Sequence, residues 1–227
     1  MPTCPYCNKR FLLNVVPVET TPIPKAELEL FKQLQDLKVI FDVGARTDVE
    51  YLELWPEAQH HLFEPNPEFF KELEVKVNDK PNVHANNIGL GDREELKGYH
   101  GLFQSFVGSG KCPEGMNTDL KLPIQTLTKY ATDKGITSID FLKVDTEGHD
   151  LKVLLGAYNF RHNIKYIQYE HWGDVNNKLI MGLLQDDFEM YNVGYRNMFC
   201  MNKELVSEEE RARLREYIEV NKLCNLV

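Results

Sequence analysis

Short apolar runs alternate along the chain with longer segments whose apolar residues recur at helical spacing. Val39–Phe41 is one such run, and it ends in a polar, glycine-bearing segment, as buried strands do where they enter a turn. Pro24 stands at a position suited to a helix start, and Leu28, Phe31 and Leu34 follow on one helical face. The predicted strands are 39–41, 61–63, 83–90, 139–144, 166–169, 188–193 and 197–202.

Segments with helical patterns separate most of these strands. This alternation predicts an α/β fold, a three-layer sandwich in which helices cover both faces of a mostly parallel sheet. Residues 91–122 are rich in glycine and have no clear period, so we predict a long irregular loop that covers the ligand site. The predicted helices are 24–37, 48–54, 69–77, 124–134, 151–155, 174–186 and a last one that begins at 207.

Composition argues against several classes of function. The 227 residues suit one domain with a small appendage, and 26 basic against 35 acidic side chains make a net charge of −9. Nucleic-acid binders neutralise phosphates, so this balance argues against a nucleic-acid partner. No apolar run approaches the roughly 20 residues that cross a bilayer, and no signal-peptide core is present. Five cysteines fit a reducing compartment, and we expect a cytoplasmic protein.

The first 23 residues differ from the rest, and we interpret 1–23 as an N-terminal arm and 24–227 as the domain. Cys4 and Cys7 have the spacing of half a tetrahedral zinc site, but no histidine precedes His60 to close a local finger. The same CPYC string is similar to a glutaredoxin motif, without the strand that normally precedes it. Zinc shared with distant ligands, zinc shared across a homodimer, and free thiols all stay open.

Polar residues follow five of the predicted strands directly. Because ligands of parallel sheets bind beyond the carboxyl ends of the strands, these residues are the candidates for a site. Several polar strand ends on one edge are more typical of a site than of a merely solvated edge. The segments are Asp42–Asp48, Glu64–Asn66, Asn86–Asp92, Asp145–His149 and Glu170–His171.

The spacing of two acids predicts a nucleoside-containing cofactor. Glu64 ends the second strand 22 residues after Asp42, where a carboxylate can accept hydrogen bonds from both hydroxyls of a ribose. The alternative is that Glu64 only caps the following helix. The first turn, from Gly44 to Asp48, has one glycine where a dinucleotide fold needs GxGxxG, and Asp48 would repel phosphate.

S-adenosylmethionine (SAM) therefore ranks first and a nicotinamide cofactor second. SAM carries a ribose and an adenine but no phosphate, and it has an ammonium and a carboxylate. Asp42 or Asp48 suits the ammonium, and Arg46 suits the carboxylate.

Several strings together resemble the FkbM family of SAM-dependent methyltransferases, over about residues 38–172. The resemblance implies that 24–227 is a class I methyltransferase domain, Rossmann-like, with a seven-stranded sheet that ends in an antiparallel hairpin. It also implies methyl transfer to a hydroxyl of a sugar, a polyketide or another small metabolite. The strings are VIFDVGARTD, HLFEPNPEFFKEL, IGLGD, IDFLKVDTEGHDLKVLLGA and IKYIQYEHW.

The resemblance also assigns roles to residues of this chain. Arg46 replaces the family's usual asparagine and Asp48 its second glycine, so the side chain at 48 either narrows the methionine pocket or holds the SAM ammonium. The implied positions are Asp42 and Gly44 in the first SAM motif, Glu64 at the ribose, Asn87 and Ile88 beside the adenine, and Asp145, Glu147 and Gly148 after the fourth strand.

An alcohol nucleophile needs its proton removed, and a histidine or a carboxylate suits that role. We predict that Glu147, His149 or His171 supplies the base and that Asp145 positions the cofactor or the acceptor. The alternatives are an exposed His149 in a first helical turn, and helix capping by Asp145 and Glu147. An NAD-linked oxidoreductase and a catalytically silent binding module are the competing functions, the latter because of Arg46 and Asp48.

Overall fold

The computed structural model describes residues 25–194, 196–221 and 223, with seven α-helices and eleven strands among them. The strands are β1 Val39–Val43, β2 Gln59–Phe63, β3 Val83–Asn86, β4 Gly89–Leu90, β5 Glu95–His100, β6 Ser105–Phe106, β7 Lys121–Gln125, β8 Ile139–Val144, β9 Ile164–Glu170, β10 Phe188–Gly194 and β11 Asn197–Asn202. The α-helices are α1 Lys25–Phe31, α2 Glu50–Leu54, α3 Pro67–Val77, α4 Leu127–Asp133, α5 Asp150–Gly156, α6 Asp174–Leu184 and α7 Glu208–Val220, and a 3₁₀ helix spans Tyr158–Asn163.

Seven strands form the main sheet, in the order β10-β11-β9-β8-β1-β2-β3. The strands β3, β2, β1, β8 and β9 are parallel, and β11 pairs antiparallel with both β9 and β10. The chain leaves β1 toward β2 and β3 and later returns to β8 on the other side of β1, so the order of the strands reverses there. The carboxyl ends of β1 and β8 are therefore the expected ligand position.

Helices cover both faces of this sheet, which confirms the predicted three-layer sandwich. Side chains of successive strand residues point to opposite faces. Phe41 and Val43 of β1 belong to one apolar core with residues of α4, α5 and α6. Ile40 belongs to a second core with residues of α1, α2 and α7. None of the described helices is long and apolar enough to cross a membrane.

A second sheet, in the order β4-β7-β5-β6, includes Glu95–His100 and Ser105–Phe106, so the predicted irregular loop is wrong for these residues, whereas the described segment 107–120 has no helix or strand. The predicted strand 83–90 is divided between the two sheets, as β3 and β4, and the predicted helix at 124–134 begins only after β7. In this sheet Glu95–Gly98 pairs antiparallel with Lys121–Ile124, about 25 residues away. Local periodicity does not reveal pairing between such distant segments.

A buried carboxyl of α1 lies beside the start of β11. Glu27 is 3% exposed, and Asn197 Nδ2 donates a hydrogen bond of 2.7 Å to its Oε1. Burial raises the pKa of Glu27 to about 7, although the bond from Asn197 lowers it. Ionisation of this group therefore opposes folding above the pKa of the unfolded chain.

We expect Glu27→Gln to flatten the pH dependence of stability. In the wild type the favourable contribution of the neutral carboxyl is complete below pH 4.5 and is lost as the pH rises through about 7. Between pH 5 and 8 this loss amounts to roughly 2 kcal/mol of unfolding free energy, which glutamine does not show. Urea denaturation at both pH values measures it, with Glu29→Gln on the exposed side of α1 as the control. An equal pH dependence in wild type and Glu27→Gln would contradict the expectation.

Candidate active site

A cleft opens at the carboxyl ends of β1, β2 and β8, and the second sheet forms one of its walls. Six of the residues predicted from the sequence line it, although they come from three separate segments of the chain. These residues are Gly44, Arg46, Asp48, Glu64, Asp145 and Glu147.

The turn after β1 is in backbone contact with the turn after β8. Gly44 has φ +86°, and a Cβ at this position would lie 1.9 Å from the carbonyl oxygen of Asp145. Only glycine fits so close an approach. The N–H groups of Gly44 and Ala45 both donate to the Phe63 carbonyl, at 3.0 and 3.1 Å, which ties the same turn to the end of β2.

Glu64 is held by two backbone N–H groups at the end of β2. Arg46 N donates to its Oε2 at 2.9 Å, and Asn66 N donates to its Oε1 at 2.7 Å. Burial raises the pKa of Glu64 to about 7, and these two bonds lower it again in part. The helix cap is a different residue, because the Asn66 side chain accepts from Glu68 N at the start of α3.

Lys143 lies beneath the cleft on β8, and our sequence reasoning missed it. Its ammonium is 2.9 Å from Asp42 Oδ1 and 3.8 Å from Asp145 Oδ2. Burial lowers the pKa of Lys143, but the carboxylates of Asp42 and Asp145 outweigh burial and raise it above its ordinary value. Burial raises the pKa of Asp42, and Lys143 lowers it. A lysine between the apolar residues Leu142 and Val144, within a buried part of the strand, was the available signal.

The turn after β8 has a strained backbone and a salt bridge. Glu147 has φ +56°, and its Oε2 is 2.6 Å from Lys111 Nζ, which comes from the segment after β6. Asp150 accepts from Gly148 N at 3.1 Å, and the N-cap position of α5 is His149, so the alternative that Asp145 and Glu147 cap this helix is wrong. Among the described residues no group of three or more His, Cys, Asp and Glu side chains could hold a metal ion.

The two predicted histidines do not line the cleft. His149 is 2% exposed, its ring centroid is 5.1 Å from that of Phe106, and neither ring nitrogen has a hydrogen-bond partner. Because His149 is buried, the alternative of an exposed side chain is wrong. Burial, with a further contribution from Lys97, lowers the pKa of His149 to about 3. His171 is half-buried, and burial followed by Arg196 lowers its pKa.

Asn87 and Ile88 support the cleft from behind. Asn87 Nδ2 donates to the carbonyl oxygens of Glu64 and Pro65, at 2.9 and 3.1 Å. Ile88 packs on the apolar core that contains Phe41. The described lining of the cleft does not include either side chain.

The second sheet adds lining residues that the sequence did not indicate. Tyr99, Gln104, Ser105 and Phe106 all face the cleft, and Ser105 Oγ donates to the Glu147 carbonyl at 2.9 Å. These residues lie within 91–122, the segment that we predicted to cover the ligand site without naming individual residues. The predicted arm 1–23 with Cys4 and Cys7 lies outside the described residues, so its zinc site stays a prediction.

An open, mostly parallel sheet that ends in an antiparallel hairpin, with a polar cleft at the carboxyl ends of its strands, defines a Rossmann-like α/β domain. Residues 42–196 match the model of the methyltransferase FkbM domain, and the chain belongs to this family. The family resemblance found in the sequence is thereby confirmed.

Individual relatives are distant. Hexuronic acid methyltransferase AglP of Haloferax volcanii is 24% identical over 160 residues, or 69% of this chain, and the chain spans 65% of that relative's length. A SAM-dependent methyltransferase from Aquifex aeolicus is 13% identical with a TM-score of 0.44, covering 78% of this chain and 89% of that one. Aeropyrum pernix fibrillarin with natively bound SAM is 12% identical with a TM-score of 0.45, covering 78% and 74%.

We expect Lys143→Met to be strongly destabilising, because it leaves the Asp42 carboxylate buried without a counter-charge. Loss of one partner of a buried pair costs about 3–5 kcal/mol of unfolding free energy. The double variant Asp42→Asn with Lys143→Met should recover most of this loss. Urea denaturation measures both, and Lys129→Met in the exposed pair with Asp133 is the control. A double variant no more stable than Lys143→Met would contradict the role of the buried pair.

Proposed function

We propose that this domain transfers a methyl group from SAM to a hydroxyl of a sugar or another small metabolite. The observation that carries the proposal is Glu64, a buried carboxyl fixed by two backbone N–H groups beside a one-glycine turn. Membership of the FkbM methyltransferase family supports the reaction class. The hexuronic acid acceptor named for the relative AglP supports a sugar.

The residues present fit SAM better than a dinucleotide. A carboxylate has about four lone-pair sites, and the backbone occupies one on each oxygen of Glu64, so both oxygens can still accept from ribose hydroxyls. Asp48 and Asp145, which also line the cleft, suit an ammonium and a sulfonium. The Arg46 guanidinium carbon lies 5.0 Å from the Phe69 ring centroid, which keeps this side chain at the ribose end.

SAM, when bound, supplies an electrophilic methyl group, and the protein has to align the acceptor and take its proton. Glu170 at the end of β9 is the base that we favour. Burial raises the pKa of Glu170 to about 7, with a further contribution from the nearby Asp145 carboxylate. A base with a pKa near the working pH is the most effective. Trp172 Nε1 donates to Glu170 Oε2 at 2.7 Å and keeps the carboxyl in place.

The bases predicted from the sequence suit the role less well. Burial lowers the pKa of His149 to about 3, and this ring is only 2% exposed with both nitrogens buried. Lys111 neutralises Glu147 at 2.6 Å, and Asp145 lies 3.8 Å from Lys143, which fits a positioning role for both acids. His171 remains a second candidate for the base because it follows Glu170 directly.

Titration of the purified protein with S-adenosylhomocysteine, and separately with NADH, tests the cofactor. We expect micromolar binding of S-adenosylhomocysteine alone, about −8 kcal/mol by calorimetry. Glu64→Ala should weaken it at least tenfold, since it removes the acceptor of two ribose hydrogen bonds. Glu68→Ala, an exposed acid on α3, is the matched control. Binding of NADH alone would favour the oxidoreductase, and binding without turnover of any acceptor would favour the silent module.

Glu170→Gln should lower kcat about 100-fold or more and leave the Kd for S-adenosylhomocysteine within threefold. The wild-type kcat should rise with pH through about 7, as the carboxyl loses its proton. His149→Ala and His171→Ala should keep most of the turnover. The assay uses the acceptor with the highest turnover in a screen of sugars and sugar acids. Normal turnover in Glu170→Gln, or its loss in His171→Ala, would overturn the assignment of the base.

A further inference from the structure

Trp172 brings two cations together just beyond the carboxyl end of β9. One of them, Lys111, forms a salt bridge with Glu147, which lines the cleft. The Arg196 guanidinium carbon lies 4.2 Å from the centroid of the indole ring, and Lys111 Nζ lies 5.6 Å from it. The three residues come from three segments: Trp172 follows β9, Arg196 belongs to the turn between β10 and β11, and Lys111 follows β6. Only the tertiary fold assembles this cluster.

The indole ring is held firmly in this position. Trp172 Nε1 donates to Glu170 Oε2 at 2.7 Å, and Asn176 Nδ2 donates to the Trp172 carbonyl at 3.3 Å. Gly110 packs so closely that a Cβ there would lie 2.7 Å from the Trp172 Cβ. A platform that is ordered before a ligand arrives loses little entropy when it binds.

We propose that Trp172, Arg196 and Lys111 form an acceptor subsite for a sugar-like hydroxyl compound that carries an anionic group. This inference rests on the proposed methyl transfer, and it narrows the acceptor from any hydroxyl compound to an acidic one. The anion is a carboxylate or a phosphate, since a guanidinium and an ammonium recognise both.

Local charge supports this assignment. The chain carries a net charge of −9, and four acids line the cleft against two bases, Arg46 and Lys143, so an anionic acceptor needs cations of its own. Arg196 and Lys111 place two cations beside the Glu147 and Glu170 carboxylates, next to the Trp172 ring.

Neighbouring acids leave this edge able to bind an anion. Lys111 gives one of its three N–H donors to Glu147 at 2.6 Å, and the guanidinium of Arg196 interacts with the Glu170 carboxylate. The ammonium of Lys111 has two donors beyond that salt bridge, and the guanidinium of Arg196 adds a second positive charge over the same ring. The acids orient both cations, and the apolar face of a sugar can contact an aromatic ring while its anion meets them.

The test titrates the full chain with D-glucuronate, D-glucose 6-phosphate and D-glucose, each with and without saturating S-adenosylhomocysteine. Calorimetry measures affinity, and quenching of Trp172 fluorescence in a Trp55→Phe background reports the position of the ligand. We expect at least one anionic sugar to bind at least tenfold more tightly than glucose. Glucuronate alone would identify a carboxylate, and glucose 6-phosphate alone would identify a phosphate.

Arg196→Gln and Lys111→Gln should each weaken the anionic sugar about five- to tenfold and leave glucose unchanged, whereas Lys121→Gln on exposed β7 should have no effect. If Arg196→Gln does not fold, the affinity of Arg196→Lys for the anionic sugar is measured in its place. Equal binding of glucose, no binding of any sugar, or unchanged affinity in both variants would overturn the subsite. Binding of S-adenosylhomocysteine in the same samples separates the proposals: its absence contradicts the methyltransferase, and its presence without anion preference contradicts only the subsite.

Discussion

The contact between the turn after β1 and the turn after β8 is the constraint on which the site depends. Gly44 approaches the Asp145 carbonyl so closely that no other residue fits, and the buried ammonium of Lys143 lies beneath both turns. The strand order reverses at this pair of strands, so the helices that follow diverge to opposite faces. The cleft lies between these diverging helices, and the two turns in contact, at Gly44 and Asp145, form part of its lining.

Buried carboxyls determine the chemistry that this space supports. Burial raises the pKa values of Glu64 and Glu170 to about 7, at the ends of β2 and β9. A carboxyl of this kind loses its proton readily when a cation or a hydroxyl comes within reach. In the proposed function, this environment lets Glu64 accept hydrogen bonds from ribose hydroxyls and lets Glu170 take the proton of an alcohol.

The second sheet completes the site and links its two ends. Tyr99 and Phe106 line the cleft, and the segment after β6 continues to Lys111 beside Trp172. Ser105 and Lys111 both bind the segment around Glu147, through its carbonyl and its carboxylate. In the proposed function, a substitution in this sheet would thus affect the binding of both the cofactor and the acceptor.

The sequence by itself determined the α/β class and the polar strand ends, because apolar periodicity and the residues after a strand are local properties. It also determined the family, since motifs such as EPNP and KVDTEG are contiguous. Only the tertiary structure decided that Lys143 lies between two carboxylates and that His149 is buried under Phe106. It also decided that Glu95–His100 and Ser105–Phe106 form part of a second sheet. These features depend on contacts between segments far apart in the chain, which no local pattern contains.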